Sequence, residues 1–383
     1  MWLLRDDVVI LQVPLHELKE NTVTQHLTPE DIAIALDKHP PTKEQSAIIS
    51  SPLVPRLVVA GAGSGKTATM VDRVVWLVAN GKVRADQVLG VTFTRKAAGE
   101  LRGRMRTRLE ELRRRGLLQI DDDTEIPVTD PVISTYHSYA NTLVANYGLR
   151  LGVEQDAQML GGAQAWQLVA QLVEHLDPRL LPVDPPAKSS IISGVLQLSS
   201  ELAEHLQDPQ TVIDWCRQNI DVLQAIERPG TRKKRDDVVS RLENRAFYAD
   251  LVRAYARVKK NMQVMDFGDL VALAARIARE IPQAGEAERD RFRVVLLDEF
   301  QDTSHAQMQL FSDLFAPSGQ EPRHPVMAVG DPKQSIYGFR GASDGQLFSF
   351  YDYFPAEDRT ASYLRTAWRN DTSILDVANH VAE

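Results

Sequence analysis

The chain has 383 residues, a formal net charge of −8, 43% hydrophobic and 25% charged residues, and one cysteine. That length allows two or three domains with a sizeable core, and the composition is that of an ordinary globular protein rather than a disordered or fibrous one. Cys216 alone excludes an internal disulfide and a Cys-rich metal site and fits a reducing cytoplasm, while the acidic balance argues against a whole-surface nucleic-acid binder and leaves only local basic patches. The opening "MWLLRDDVVILQV" is broken by Arg5, Asp6 and Asp7, too early for a signal peptide, and no later run is long enough to span a bilayer. No membrane association is therefore expected, and residues 1–30 carry no further signal.

In chain order, the first clear element is the apolar run "RLVVAG" at residues 56–61, which leads into a string of small residues and then a helical pattern. Ala60, Gly61, Ala62, Gly63, Ser64 and Gly65 leave room for successive backbone N–H groups to converge on an anion at the start of a helix near Lys66. In the pattern G-x-x-x-x-G-K-[ST], the lysine reaches the β- and γ-phosphates of a nucleotide and the hydroxyl reaches Mg²⁺. Lys66 and Thr67 fit those places, and Ala68 follows on the same turn. The first glycine of the pattern is Ala60 here, which is tolerable where that position needs no positive φ.

The runs "QVLGVTFT" and "PVISTY" come next, each a short apolar segment ending in polar residues. Between them lies the densest basic run of the chain, with Arg102, Arg104, Arg106, Arg108 and Arg113 to Arg115. Such a run is usually a solvated helix face. From residue 149 to 292 strand signal almost vanishes. "AQAWQLVAQLVEHL", "VLQLSSELAEHL" and "ENRAFYADLVRAYARVKKNM" repeat apolar residues every three or four positions, the mark of amphipathic helices. Two more apolar runs follow, "RVVLLDEF" and "PVMAVGD". The first delivers Asp298 and Glu299 to a strand tip, where one carboxylate can hold Mg²⁺ and its neighbour can orient or deprotonate a water. An acidic pair after a strand is commonplace by itself and gains meaning only from the upstream loop. Five buried-type strands separated by helices predict an α/β fold with a parallel sheet and a ligand beyond the strands' carboxyl ends.

"AGAGSGKT", "VTFTRKAAGELRGRM", "STYHSY", "LLDEFQDTS" and "VGDPKQSIYGFRGA", in this order, resemble the motifs of superfamily 1 DNA helicases of the UvrD/Rep/PcrA type. The resemblance covers about residues 40–145 and 260–375, and that family accepts alanine at the first loop position. It implies a RecA-like parallel-sheet P-loop NTPase domain with an inserted all-helical domain. The corresponding division is an N-terminal extension at 1–30, a first part of the RecA-like domain at 31–145 and the helical insertion at 146–255. The second part of the RecA-like domain follows at 256–355, and 356–383 opens a second RecA-like domain.

The resemblance also assigns residues. Gln45 of "PTKEQ" reads adenine, although Pro41-Thr42 replaces the family's usual Leu-Asn. Gln334 senses the γ-phosphate, Arg340 stabilises it, and Tyr337 and Phe339 present aromatic faces to bases. Thr92, Phe93, Thr94 and Arg95, the last in place of Asn, lie along single-stranded DNA, joined by Thr135, Tyr136, His137 and Ser138. "DFGDL" at 266–270 matches a weaker motif at the return from the insertion. In "LRTAWRND", Arg369 keeps an arginine that approaches the γ-phosphate, Trp368 replaces a tyrosine that stacks on adenine, and Ala367 replaces Asn. The implied cofactors are ATP and Mg²⁺, the latter on Thr67 and Asp298; the implied partners are single-stranded DNA and single/double-strand junctions.

The expected protein is the N-terminal motor piece of a cytoplasmic ATP-dependent 3′→5′ DNA translocase acting in repair or recombination, with the second RecA-like domain missing. One alternative is the motor part of a helicase–nuclease subunit of the AddA/AdnB kind, working with a partner subunit. Another, of a different class, is a nucleotide-switched DNA-binding protein that never translocates. The intact set Lys66, Thr67, Asp298, Glu299 and Gln334 disfavours it, because a pure binder needs no water-activating carboxylate.

Overall fold

Helices α1 (Pro29–Ala35) and α2 (Lys43–Ile49) precede strand β1 (Arg56–Ala60), which leads through α3 (Lys66–Ala79), β2 (Val88–Thr92) and α4 (Arg95–Arg114) to β3 (Val132–Thr135) and α5 (Tyr136–Tyr147). A largely helical stretch follows: β4 (Gln158–Met159), α6 (Gly162–Glu174), α7 (Lys188–Glu204), α8 (Pro209–Gln224), α9 (Arg232–Asn261) and β5 (Val264–Met265). The chain continues with α10 (Phe267–Glu280), α11 (Pro282–Arg291), β6 (Val294–Leu297), α12 (His305–Phe315), β7 (Val326–Gly330), α13 (Phe350–Tyr353), β8 (Ser362–Leu364) and α14 (Thr372–Ala382). This computed structural model describes residues 26–118, 130–154, 157–181, 186–226, 232–335 and 347–382.

Six strands form one parallel sheet in the order β3-β2-β6-β7-β1-β8. Side chains of a strand alternate between the two faces. Leu57, Leu89, Val91, Val295, Leu297, Val326 and Ala328 accordingly join one core with α5, α10 and α12, while Val58, Val88, Val294, Leu296, Met327 and Val329 join another with α3 and α4. With both faces covered, β2, β6 and β7 are buried at every position, which is why they read as continuous apolar runs. All six strands point the same way, so Ala60, Thr92, Thr135, Asp298 and Asp331 gather along one edge of the sheet.

The last strand corrects the expected division. Residues 356–383 were assigned to a second domain, yet β8 pairs in parallel with β1, Val58 opposite Ser362 and Ala60 opposite Leu364. The free edge of β1 is thereby covered. Residues 362–364 complete the first sheet, and anything belonging to a second domain begins after Leu364.

Helices α6, α7 and α9 share their own core, built on Val169, Val195, Leu251, Val252 and Tyr255, and α8 packs along α9. The short β4–β5 pairing, Gln158 opposite Val264 and Met159 opposite Met265, brings the entry and exit of this helical unit together. Helix α9 runs unbroken past residue 255, so the exit lies later than expected. There Lys259, 4% exposed, places Nζ 2.7 Å from Asp266 Oδ2 and 2.6 Å from Asp269 Oδ2. The same two carboxylates form the capping box of α10, so "DFGDL" ties the helical unit to the α/β core. Among the described residues no helix is long and apolar enough to cross a membrane.

Candidate functional site

Strand β1 ends in Ala60, fully buried, and the loop 61–65 turns the chain into α3. Ala60 is an ordinary strand residue and not among the positive-φ positions, so the glycine of the usual pattern is not needed there. Gly63 (φ +73°) and Gly65 (φ +87°) do lie in the left-handed region that favours glycine. Space is tight as well: a Cβ on Gly63 would sit 2.7 Å from Arg369 Cβ, and one on Gly65 would sit 2.9 Å from Gln45 Nε2. Ser64 is buried with its Oγ lacking a hydrogen-bond partner. Lys66 and Thr67 are the first residues of α3, where backbone N–H groups have no helical acceptor and the helix dipole favours an anion.

The carboxylates stand at the neighbouring strand end. Asp298 follows β6, is 5% exposed, and accepts from Thr92 Oγ1 at 3.5 Å through Oδ2. Its Oδ1 is buried with no hydrogen-bond partner. Burial first, and the Glu299 charge second, push its pKa up to about 6. Glu299 occupies the left-handed region (φ 51°, ψ 42°), a conformation costly for a residue with a Cβ and one that clusters at functional sites. Its Oε2 accepts from Lys66 Nζ at 2.9 Å and from Gln301 Nε2 at 2.8 Å. The turn after β7 is capped by Asp331, whose Oδ2 accepts from Gln334 Nε2 at 2.7 Å.

Beside the loop lies a cavity of about 330 Å³, walled by Pro40, Pro41, Gln45, Ala68, Trp76 and Trp368 among others. Thr42 explains the departure from Leu-Asn: it is the N-cap of α2, and Gln45 closes the capping box by accepting Thr42 N–H through Oε1 at 3.0 Å. That bond fixes which end of the Gln45 amide is turned away from the cap. Trp368, 66% exposed, holds its ring at the cavity while its backbone N–H donates to Gly63 O at 2.9 Å. Arg365 N–H donates to Glu44 Oε2 at 2.9 Å. The segment after β8 is thus fastened to the loop, and Arg369 lies against Gly63.

The profile of the UvrD/REP helicase N-terminal domain matches residues 41–355. The chain belongs to that family. It is 27% identical over 340 residues to DNA helicase II of Haemophilus influenzae, covering 88% of this chain and 40% of that protein. ATP-dependent DNA helicase UvrD1 of Mycobacterium bovis is 29% identical over 330 residues, covering 85% and 37%. ATP-dependent DNA helicase PcrA of Staphylococcus epidermidis is 27% identical over 338 residues, covering 88% and 39%. The chain therefore spans about two fifths of the length of these relatives.

For a UvrD/REP chain, the residues assigned to a DNA track separate into two groups. A groove of about 440 Å³ between the β2 and β3 ends and helices α7 and α10 is lined by Phe93, Arg95, His137, Ser138, Ser200 and Phe267 among others. Thr94 is exposed beside it and caps α4, accepting Ala97 N–H at 3.0 Å. Three of the expected contacts need correction. Thr92 is 1% exposed and bonds to Asp298; Thr135 is 6% exposed and caps α5 through Ser138 N–H at 3.1 Å. Tyr136 is 2% exposed, its hydroxyl 3.2 Å from Thr303 Oγ1 and its ring packed on Phe93 and Phe311. Tyr136 faces the interior because its ring is held between Phe93 and Phe311 of α12. Tyr337, Phe339 and Arg340 lie outside the described residues.

Phe267 was not singled out from sequence, although it is the Phe of "DFGDL". It is 57% exposed and meets the His137 ring edge-on at 5.6 Å. The arginines of α4 are largely engaged within the protein: Arg108 with Asp72, Arg106 with Glu110 and Asp130, Arg114 and Arg115 with Glu111, and Arg102 with Ile133 O. Arg102, Arg104, Arg106 and Arg113 to Arg115 are nevertheless exposed, and only Arg108 is half-buried.

Proposed function

We propose that this chain is the first motor domain of an ATP-dependent DNA helicase that moves 3′→5′ along single-stranded DNA. The observation that carries the reading is the convergence, on one sheet edge, of an anion-binding loop, a paired lysine and glutamate, and a buried aspartate with an unpartnered oxygen. Beside them lie a base-sized cavity and a groove with the exposed ring of Phe267 and the half-buried rings of Phe93 and His137. Lys66 would engage the β- and γ-phosphates, and Glu299 would accept the proton of the attacking water. Gln334 and Arg369 would address the γ-phosphate, Gln45 and Trp368 the adenine.

The residues fit Mg²⁺ bound with substrate. No group of three His, Cys, Asp or Glu side chains able to hold a metal is found among the described residues, so these residues offer no closed cage. Thr67 and the free oxygen of Asp298 would complete a coordination shell made mostly of phosphate and water, as Mg²⁺ prefers. When bound, the ion neutralises charge on the β- and γ-phosphates.

Phe93, Thr94, Arg95, His137 and Phe267 would form one wall of the DNA track, with stacking supplying sequence-independent affinity. The test uses the full reading frame containing these residues. We expect DNA-stimulated ATP hydrolysis and unwinding of a duplex bearing a 3′ single-stranded tail, with none for a 5′ tail. Unwinding from the 5′ tail alone would reverse the polarity, and no DNA stimulation would remove the translocase reading.

A further inference from the structure

Gln301 follows the two carboxylates and is 3% exposed. Its side chain bonds in two directions. Nε2 donates to Glu299 Oε2 at 2.8 Å, and Oε1 accepts the backbone N–H of Asp331 at 2.9 Å. Only this orientation of the amide makes both bonds. Nε2 also lies 3.4 Å from Asp302 Oδ2, and Ser335 Oγ donates to Gln301 O at 3.4 Å. Asp331 in turn holds Gln334 at 2.7 Å. A continuous hydrogen-bonded line therefore runs Lys66, Glu299, Gln301, Asp331, Gln334.

The end of β7 is shaped to admit this amide. A Cβ on Gly330 would stand 2.6 Å from Gln301 Oε1, 3.1 Å from Gln301 N and 2.8 Å from Leu347 Cδ1. Glycine at 330 is thus a requirement of the Gln301 position. Glu299 has two donors among the described residues, Lys66 and Gln301, and both use Oε2. If Lys66 turns to a phosphate, Gln301 is the donor left holding the carboxylate of Glu299, whose side chain is 37% exposed.

We propose that Gln301 is a positioning residue that fixes the Glu299 carboxylate and locks it to the Asp331–Gln334 turn. The water-activating group and the residue addressing the γ-phosphate then shift as one unit. The proposal rests on the ATP-hydrolase reading above and adds a coupling element to it.

The test is steady-state ATP hydrolysis by the full-length protein, with and without single-stranded DNA, alongside Mg·ADP binding and thermal unfolding. Gln301→Met removes both bonds. Gln301→Glu keeps an acceptor for Asp331 N–H but cannot donate to Glu299, and it serves if the Met variant folds poorly. Each should lower the DNA-stimulated kcat by about tenfold or more while KM and ADP affinity stay within about threefold. Gly330→Ala should act in the same direction. Adding Gln301→Met to Glu299→Gln should cost no more than about twofold further, because the two act through one group. A wild-type kcat in both Gln301 variants, fully additive losses in the double variant, or a loss that follows ADP affinity would overturn the positioning role. Absence of ATP hydrolysis in the wild type, or a wild-type rate in Lys66→Ala, would instead overturn the hydrolase reading.

Discussion

Lys66 Nζ donates to Glu299 Oε2 at 2.9 Å, joining the cation of the loop to the carboxylate after β6. Replacing either partner should have a different signature. Lys66→Ala should abolish both tight Mg·ATP binding and hydrolysis, since the loop loses its only side-chain cation. Glu299→Gln should keep Mg·ATP binding and slow turnover by orders of magnitude, because an amide cannot accept the water's proton. Equilibrium nucleotide binding and single-turnover hydrolysis on the two variants separate these outcomes. Equal binding losses in both would make the pair structural rather than chemical.

The loop makes an asymmetric forecast about its small residues. Gly63→Ala and Gly65→Ala place a side chain at φ +73° and +87°, against Arg369 and Gln45, and should cost at least about 1–2 kcal/mol each together with most of the nucleotide affinity. Ala60→Gly changes a buried strand residue with no such constraint and should cost only about 1 kcal/mol of stability, leaving nucleotide affinity unchanged. Denaturant unfolding and nucleotide titration of the three variants check the contrast.

The two sets of aromatic residues at the groove should behave oppositely. Phe93→Ala and Phe267→Ala should weaken single-stranded DNA binding by about 1–3 kcal/mol each with little sequence preference, if the rings stack on bases. Tyr136→Ala should instead destabilise the fold by roughly 3–5 kcal/mol, as expected for a large buried ring. Binding to the wild type should fall steeply with salt. A folded Tyr136→Ala protein of wild-type stability with lost DNA binding would return that residue to the track.

His324 supplies a pH dependence. Burial, with Arg289 adding to it, lowers its pKa from 6.5 to about 4, and its ring packs on Phe315 at 5.1 Å. Between those values the unfolded chain binds a proton that the folded chain does not. Stability from this group is therefore full above the unfolded value and is lost as pH falls toward 4. Asp298, raised to about 6, works in the opposite sense over a similar range, so the wild-type curve alone mixes the two. Comparing His324→Gln with wild type isolates the histidine. Its stability loss between about pH 7 and about pH 5 should be smaller than that of wild type by roughly 2 kcal/mol. Parallel curves would place His324 in contact with water.

Five of the six main strands were legible as short apolar runs, and in β2, β6 and β7 burial on both faces leaves such a run with no alternation. β8 was not, since it is a three-residue edge strand with Tyr363 43% exposed, and only its pairing with β1 defines it. The loop, Lys66 and the carboxylate pair could be read because local spacing alone builds them. Phe93 and Tyr136 could not be told apart by type: both follow an apolar strand, and only the packing of α5 and α12 turns Tyr136 inward. Gln301 was invisible for a similar reason, because its partner Asp331 follows β7 while Gln301 follows β6. The ion pairs of the α4 arginines were not legible, because their acidic partners come partly from elsewhere in the chain, Asp72 on α3 and Asp130 ahead of β3.

The pairing of β8 with β1 has a mechanical consequence. Both strands end at the same edge, so the chain leaving Leu364 crosses the glycine-rich loop at once and is pinned there by Arg365 N–H to Glu44 and Trp368 N–H to Gly63. Whatever follows Arg369 is leashed at the glycine-rich loop, on a tether too short to absorb displacement as slack. A pull on that leash loads the hydrogen bonds at Gly63 and Glu44 directly, and with them the loop and the helix that carries Gln45. The exit from the sheet doubles as the pin of a hinge, and the bound nucleotide would sit at the pin.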